Sequence, residues 1–152
     1  GPNGVGKSTL LADLHDRAGA VWVPQDPDLT LFCQTVADEL AYGPRERDRP
    51  AEVALEDFGL DGLEARSPHA LSRGQRLRLA VASAVAVGPE LLLLDEPTAG
   101  QHLDAVHQTL RAADAVVEGA IVFATHDDMV RQHGKRIVSM LDGCVVGEEI
   151  QA

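Results

Sequence analysis

Four consecutive leucines, Leu91 to Leu94, are bounded by Glu90 before and Asp95-Glu96 after. A run with no polar position cannot line the edge between a core and water. As a strand it turns alternate side chains to opposite faces, so both faces must be covered. Such a strand belongs in a parallel sheet with helices on each side, and the sequence around it supplies the helices. After Gly74, apolar residues at Leu77, Leu79, Ala80, Val81 and Ala84 predict a helix to Val87, stopped by Gly88-Pro89. A helix over Asp104–Val117, a strand over Ala120–Ala124, a helix over Asp127–His133 and a strand over Arg136–Leu141 follow. An Asp142-Gly143 turn then leads to a strand over Cys144–Val146.

Upstream, Leu10, Leu11 and Leu14 predict a helix over Lys7–Asp16, and Ala20–Val23 reads as a strand closed by Pro24. From Asp26 to Leu71 breakers recur, which predicts short helices over Thr35–Tyr42 and Ala51–Phe58 in an inserted helical lobe spanning residues 26–74. The expectation is one α/β domain over 1–152, a mainly parallel sheet flanked by helices.

Composition limits what such a domain can do. Thirteen basic against 24 acidic residues give a formal charge of −11, which repels phosphate backbones over most of the surface and argues against a nucleic-acid partner. The two cysteines have no CxxC or CxxH company, which fits a reduced, cytosolic setting. The apolar runs are far short of the roughly 18 residues that a membrane-crossing helix needs.

The segment Gly1-Pro2-Asn3-Gly4-Val5-Gly6-Lys7-Ser8-Thr9 fits GxxxxGK[ST], a glycine-rich turn whose backbone N–H groups converge on phosphate oxygens. The helix that starts near Lys7 adds its positive end, the Lys7 ammonium reaches β- and γ-phosphates, and the Ser8 hydroxyl suits Mg²⁺. The Leu91–Leu94 strand delivers Asp95 and Glu96 to the C-terminal edge of the sheet, where ligands bind in this architecture. Asp95 suits Mg²⁺ held through a water; Glu96 suits a base for in-line attack of water on a γ-phosphate.

With Leu71-Ser72-Arg73-Gly74-Gln75, Gln25 in Val23-Pro24-Gln25-Asp26-Pro27 and His126 in Ala124-Thr125-His126-Asp127, the chain resembles the ATP-binding cassette ATPases, over nearly its whole length and in the same motif order. The resemblance implies a P-loop fold and ATP with Mg²⁺ as ligands. It implies nucleotide contacts from Gly1, Asn3, Gly4, Val5, Gly6, Lys7, Ser8 and Thr9, and metal contacts from Ser8, Gln25 and Asp95. Catalytic roles fall to Glu96, Gln25 and His126, with His126 contacting the γ-phosphate and steadying Glu96. Ser72, Gly74 and Gln75 would cap the nucleotide of a second ATPase subunit. The segment from Gln25 to Phe32, the acidic helix closing in Gly43-Pro44, and Asp95-Glu96-Pro97-Thr98-Ala99-Gly100-Gln101 are similar to the energy-coupling-factor branch, the cobalt and vitamin importers. That likeness implies an integral-membrane partner, placement on the cytoplasmic face of the membrane, and import of a metal ion or vitamin. Leu31-Phe32 beside Asp38 and Glu39 then reads as a groove for a partner's helix; alternatively the two apolar residues pin the lobe to the sheet.

Four departures stand out. The loop opens the sequence, so the strand and aromatic adenine platform that precede it in the family do not appear, as in a clipped cassette. Lys7 and Gln25 are only 18 positions apart, which predicts that the family's antiparallel β layer is reduced or missing. His102 stands where the family places aspartate, with Asp104 two positions later. Arg73 replaces the first signature glycine. The same motifs also admit a truncated cassette inactive by itself, or a cassette acting outside transport.

Overall fold

The computed structural model describes residues 6–42, 53–98, 100–131 and 134–151. Among these residues there are five strands: β1 (Val21–Val23), β2 (Leu91–Asp95), β3 (Ala120–Ala124), β4 (Arg136–Leu141) and β5 (Cys144–Ile150). The helices are α1 (Lys7–Ala18), α2 (Val36–Ala41), α3 (Arg73–Ala86), α4 (Leu103–Val116) and α5 (Asp128–Arg131). β1, β2 and β3 form a parallel sheet in that order, with β2 in the centre, while β4 and β5 form an antiparallel hairpin.

The leucine run behaves as its lack of polarity requires. Leu92 and Leu94 point into the larger core with Leu77, Leu79, Val81 and Val85 of α3 and Val106, Leu110 and Ala113 of α4. Leu93 points the other way, onto Leu11 of α1 and Ala20. Leu92, Leu93 and Leu94 are all fully buried. Each fully buried leucine contributes about 2 kcal/mol relative to exposure, which is why this strand organises the sheet.

The helix ends are specified locally. Gly19 at φ +62° closes α1, and Ser72 and Gln75 form a reciprocal capping box that starts α3. Thr35 caps α2 by accepting from the Asp38 N–H. Asp142 and Gly143 both have positive φ, as a tight hairpin turn requires. Only Gly19 and Ala20 separate α1 from β1, so no antiparallel layer fits between Lys7 and Gln25.

Some expected elements change. Within 26–74, the described residues form one α-helix, α2, and three 3₁₀ turns at Pro27–Leu29, Leu55–Phe58 and Pro68–Ala70. The helix expected over Ala51–Phe58 is a 3₁₀ turn in its described part; residues 51 and 52 lie outside the described residues. Prolines at two of these turns and glycine after the third leave too few residues for α-helical ladders. Leu31, Val36, Phe58, Leu60 and Leu71 of this segment join the same core as the sheet. β5 runs on to Ile150, past the expected Val146, because Ile150 pairs with Arg136 and Glu149 with Ile137. Of the helix expected over Asp127–His133, Asp128–Arg131 is helical, and residues 132 and 133 lie outside the described residues.

Candidate active site

The C-terminal ends of β2 and β3 bring two of the three predicted catalytic residues, Glu96 and His126, together, while the third, Gln25, follows β1. Glu96 follows β2 directly, and its N–H donates to the Ala124 carbonyl at the end of β3 at 2.8 Å. Its backbone is left-handed, φ +49°, a conformation unusual for glutamate and of the kind that turns a side chain sharply at a functional site. The carboxylate is 6% exposed and doubly held: Lys7 Nζ lies 2.9 Å from Oε1, and His126 Nδ1 lies 2.9 Å from Oε2. Burial by itself would raise the Glu96 carboxyl, but hydrogen bonding and charge from His126 and Lys7 outweigh it and hold the group below the ordinary carboxylate range. Glu96 therefore stays ionised between two groups that can carry positive charge.

A neighbouring cleft of about 630 Å³ is lined by Ser8, Gln25 and Asp95, with Trp22, Arg73 and Arg76 among the other walls. The three residues expected around Mg²⁺ thus share one cavity. Asp95 is 5% exposed, and its Oδ1 is buried with no hydrogen-bond partner among the described residues. An ionised oxygen in that state is costly unless a cation or a bound water meets it. An oxygen-rich donor set of carboxylate, hydroxyl and amide is also what a hard divalent cation takes, so the residues fit Mg²⁺.

Gly6, at φ +89°, ends the glycine-rich loop; a Cβ there would sit 3.5 Å from the Gly143 backbone, so the loop end abuts the β4–β5 turn. Gly1, Asn3, Gly4 and Val5 lie outside the described residues, and Thr9 is exposed on the first turn of α1. Ser72 and Gln75 are engaged with each other in the capping box. Gly74 packs tightly: a Cβ there would approach Gln101 Cγ and the Gly100 carbonyl at 3.2 Å. These three stand at the start of α3 and do not line the cleft. His102 is the exposed N-cap of α4, and Asp104 lies in that helix's first turn.

The expected Leu31-Phe32 groove is divided. Leu31 is buried and pins the segment to the core, whereas Phe32 is 68% exposed and meets Tyr42 at a ring distance of 6.4 Å. Glu39 is no groove acid either: it is 2% exposed, and its Oε2 accepts the Phe32 and Cys33 N–H groups at 3.0 and 2.7 Å. Sequence reading also missed the Arg76–Asp28 ion pair at 2.8 Å, which ties α3 to the turn after Gln25. Nothing in the local pattern signals it, because 48 residues separate the partners. Arg78 makes a similar tie, donating to the Phe58 carbonyl and to Gln101 Oε1.

Comparison with known proteins decides the family. The profile described as "ABC transporter" matches residues 13–99, more than half of the chain. The chain belongs to the ABC transporter family. Among relatives of this ABC chain, the energy-coupling factor transporter ATP-binding protein EcfA of Methanocaldococcus jannaschii is 31% identical over 97% of this chain and 66% of its own length. A putative ABC transporter ATP-binding protein of Methanosarcina acetivorans is 35% identical over 97% of this chain but only 28% of its own. The ABC chain thus spans between about a quarter and two thirds of these relatives. The alignment to the Methanosarcina protein runs over 179 positions, more than the 152 residues present, so it opens gaps in this chain. Among solved structures, CbiO1 from Clostridium perfringens, described as part of the ABC transporter complex CbiONQ, has a TM-score of 0.79 at 28% identity, covering 97% of this chain and 74% of that one. No helix among the described residues is long and apolar enough to cross a membrane.

Proposed function

We propose that this ABC chain is the ATP-binding and ATP-hydrolysing head of an energy-coupling-factor importer. The observation that carries the reading is Glu96, buried and ionised between Lys7 and His126 at the end of β2, beside Asp95 with its unpartnered oxygen.

The glycine-rich turn and the start of α1 bind the phosphates, and Lys7 is drawn from Glu96 toward the γ-phosphate when it enters. Ser8, Gln25 and Asp95 would hold Mg²⁺, which would supply charge neutralisation to the phosphates. Glu96, released on its Oε1 side, orients a water and takes its proton, while His126 keeps Oε2 in place and contacts the γ-phosphate. Catalysis is otherwise positioning and fixed charge.

A second cassette completes the machine, its nucleotide met by Ser72, Gly74 and Gln75. An integral-membrane subunit docks from the membrane side, so the chain works on the cytoplasmic face. The exposed Phe32 and Tyr42 offer that subunit an aromatic contact. Relatives from Rhodobacter capsulatus named as cobalt and nickel import ATP-binding proteins support a metal ion as the imported solute.

In the assembled complex, Glu96→Gln is expected to keep ATP binding and to lower turnover by roughly 10² to 10⁴, the usual contribution of a positioned base. Turnover equal to the parent would remove Glu96 from that role.

A further inference from the structure

The left-handed backbone of Glu96, φ +49°, is a conformation that persists only where the surroundings fix it from both sides. Upstream, β2 is locked in the sheet, and the Glu96 N–H is tied to the Ala124 carbonyl at 2.8 Å. Downstream, the chain turns over Pro97 and Thr98, outside any helix or strand. Pro97 brings no N–H to that turn and its ring sets φ, so its carbonyl is the backbone handle it offers. Gln101 takes that handle: its Nε2 donates to the Pro97 carbonyl at 2.9 Å. The Gln101 N–H also donates to the Thr98 carbonyl at 3.2 Å, which closes the turn.

Gln101 is in turn held by α3. Its Oε1 accepts from Arg78 Nη1 at 3.3 Å. Arg78 is itself fixed by donating to the Phe58 carbonyl at 2.8 Å and to the Gly59 carbonyl at 3.4 Å. The start of α3 closes on the same place, for a Cβ on Gly74 would lie 3.2 Å from both Gln101 Cγ and the Gly100 carbonyl oxygen. A side-chain amide can donate to one of these partners while accepting from the other; a leucine can do neither, and an ionised glutamate only accepts.

We propose that Gln101 is a positioning residue for ATP hydrolysis: by clamping the Pro97 carbonyl to α3, it fixes the turn that aims the Glu96 carboxylate. This role rests on the reading of Glu96 as the base, and adds the group that holds the base in its strained backbone.

Turnover, the KM for ATP and ATP binding are measured in the assembled transporter for Gln101→Leu and for Gln101→Glu, each alone and combined with Glu96→Gln. Each single variant is expected to lower kcat by about tenfold to a hundredfold, as for a reacting group displaced by up to about 1 Å, with KM and ATP binding within about twofold of the parent. Because Gln101 acts through Glu96, neither variant should lower the residual turnover of Glu96→Gln any further. Equal proportional losses in both backgrounds, loss of ATP binding along with turnover, a raised KM with kcat unchanged, or no loss at all would overturn the proposal. Parent turnover in Gln101→Glu with a loss in Gln101→Leu would give the role to the Arg78 contact alone and overturn it equally. Parent turnover in Glu96→Gln would instead defeat the reading of Glu96 as the base, and the role of Gln101 with it.

Discussion

Replacing Glu39 with alanine would strip two N–H groups of the acceptor that holds the Phe32 segment. Both the Phe32 and the Cys33 N–H donate to the same oxygen, at 3.0 and 2.7 Å, from a side chain that is 2% exposed. A buried donor left unpaired costs about 1 to 3 kcal/mol. Both bonds are only part-buried, so water reaches each freed N–H in part, and Glu39→Ala is expected to cost about 2 kcal/mol. Glu39→Gln can place its carbonyl oxygen where Oε2 sits and keep both bonds without the charge, which roughly halves their strength and costs about 1 kcal/mol. Urea unfolding checks this, with the midpoint falling and the slope unchanged. If the alanine variant lies within about 0.5 kcal/mol of the parent, or the two variants are equally destabilised, Glu39 does not act as the internal cap described here. The ordering matters for function, because the same two bonds set the backbone from which Phe32 projects.

Two further outcomes follow from close contacts. A Cβ on Gly119 would fall 1.8 Å from the Glu90 carbonyl oxygen, which also accepts the Ala120 N–H at 2.9 Å. Gly119→Ala must push the start of β3 away from β2, at a cost of at least about 2 kcal/mol. The Gly147→Ala control, whose Cβ would meet only Ser139 Cβ at 3.8 Å, should be neutral in the same thermal melts. The Glu96 carboxyl is held below its ordinary value of 4.5, so its ion pairs contribute stability in full above that value. The contribution is lost as pH falls through the lower folded-state value. The melting-temperature gap between the parent and Glu96→Gln should therefore stay constant from neutral pH to about pH 5 and shrink on further acidification. A gap that widens in acid would contradict the assigned partners.

Regular burial was legible in the sequence; tertiary approach was not. Leu91–Leu94 could be read as a two-faced strand because four apolar residues in a row leave no solvent side, and β2 has that form. The Asp142-Gly143 turn was legible from equally local residues, whereas the Ser72–Gln75 capping box starts α3 earlier than the apolar pattern after Gly74 indicates. By contrast, Glu39 looks like a solvated acid on a short helix, and only the path of the chain back over Phe32 and Cys33 turns it inward. Gly119 has no signature in its neighbours, since the contact that demands glycine comes from Glu90 across the sheet. The site divides in the same way. Motif order, read through the resemblance, grouped Ser8, Gln25 and Asp95 around a metal and set His126 beside Glu96; what it did not show is that Lys7 closes on the same Glu96 carboxylate. Arg73 read as a mild departure from a signature, and its place in that cleft comes only from how α3 packs against the turn after β1.

The role of Glu96 as the base is tested most sharply by ATP occupancy and phosphate release measured together, in the complete transporter, for the parent and for Glu96→Gln. Full occupancy is expected for Glu96→Gln, with release reduced by roughly 10² or more. Full occupancy with unreduced release, or loss of both together, would contradict the role given to the carboxylate between Lys7 and His126.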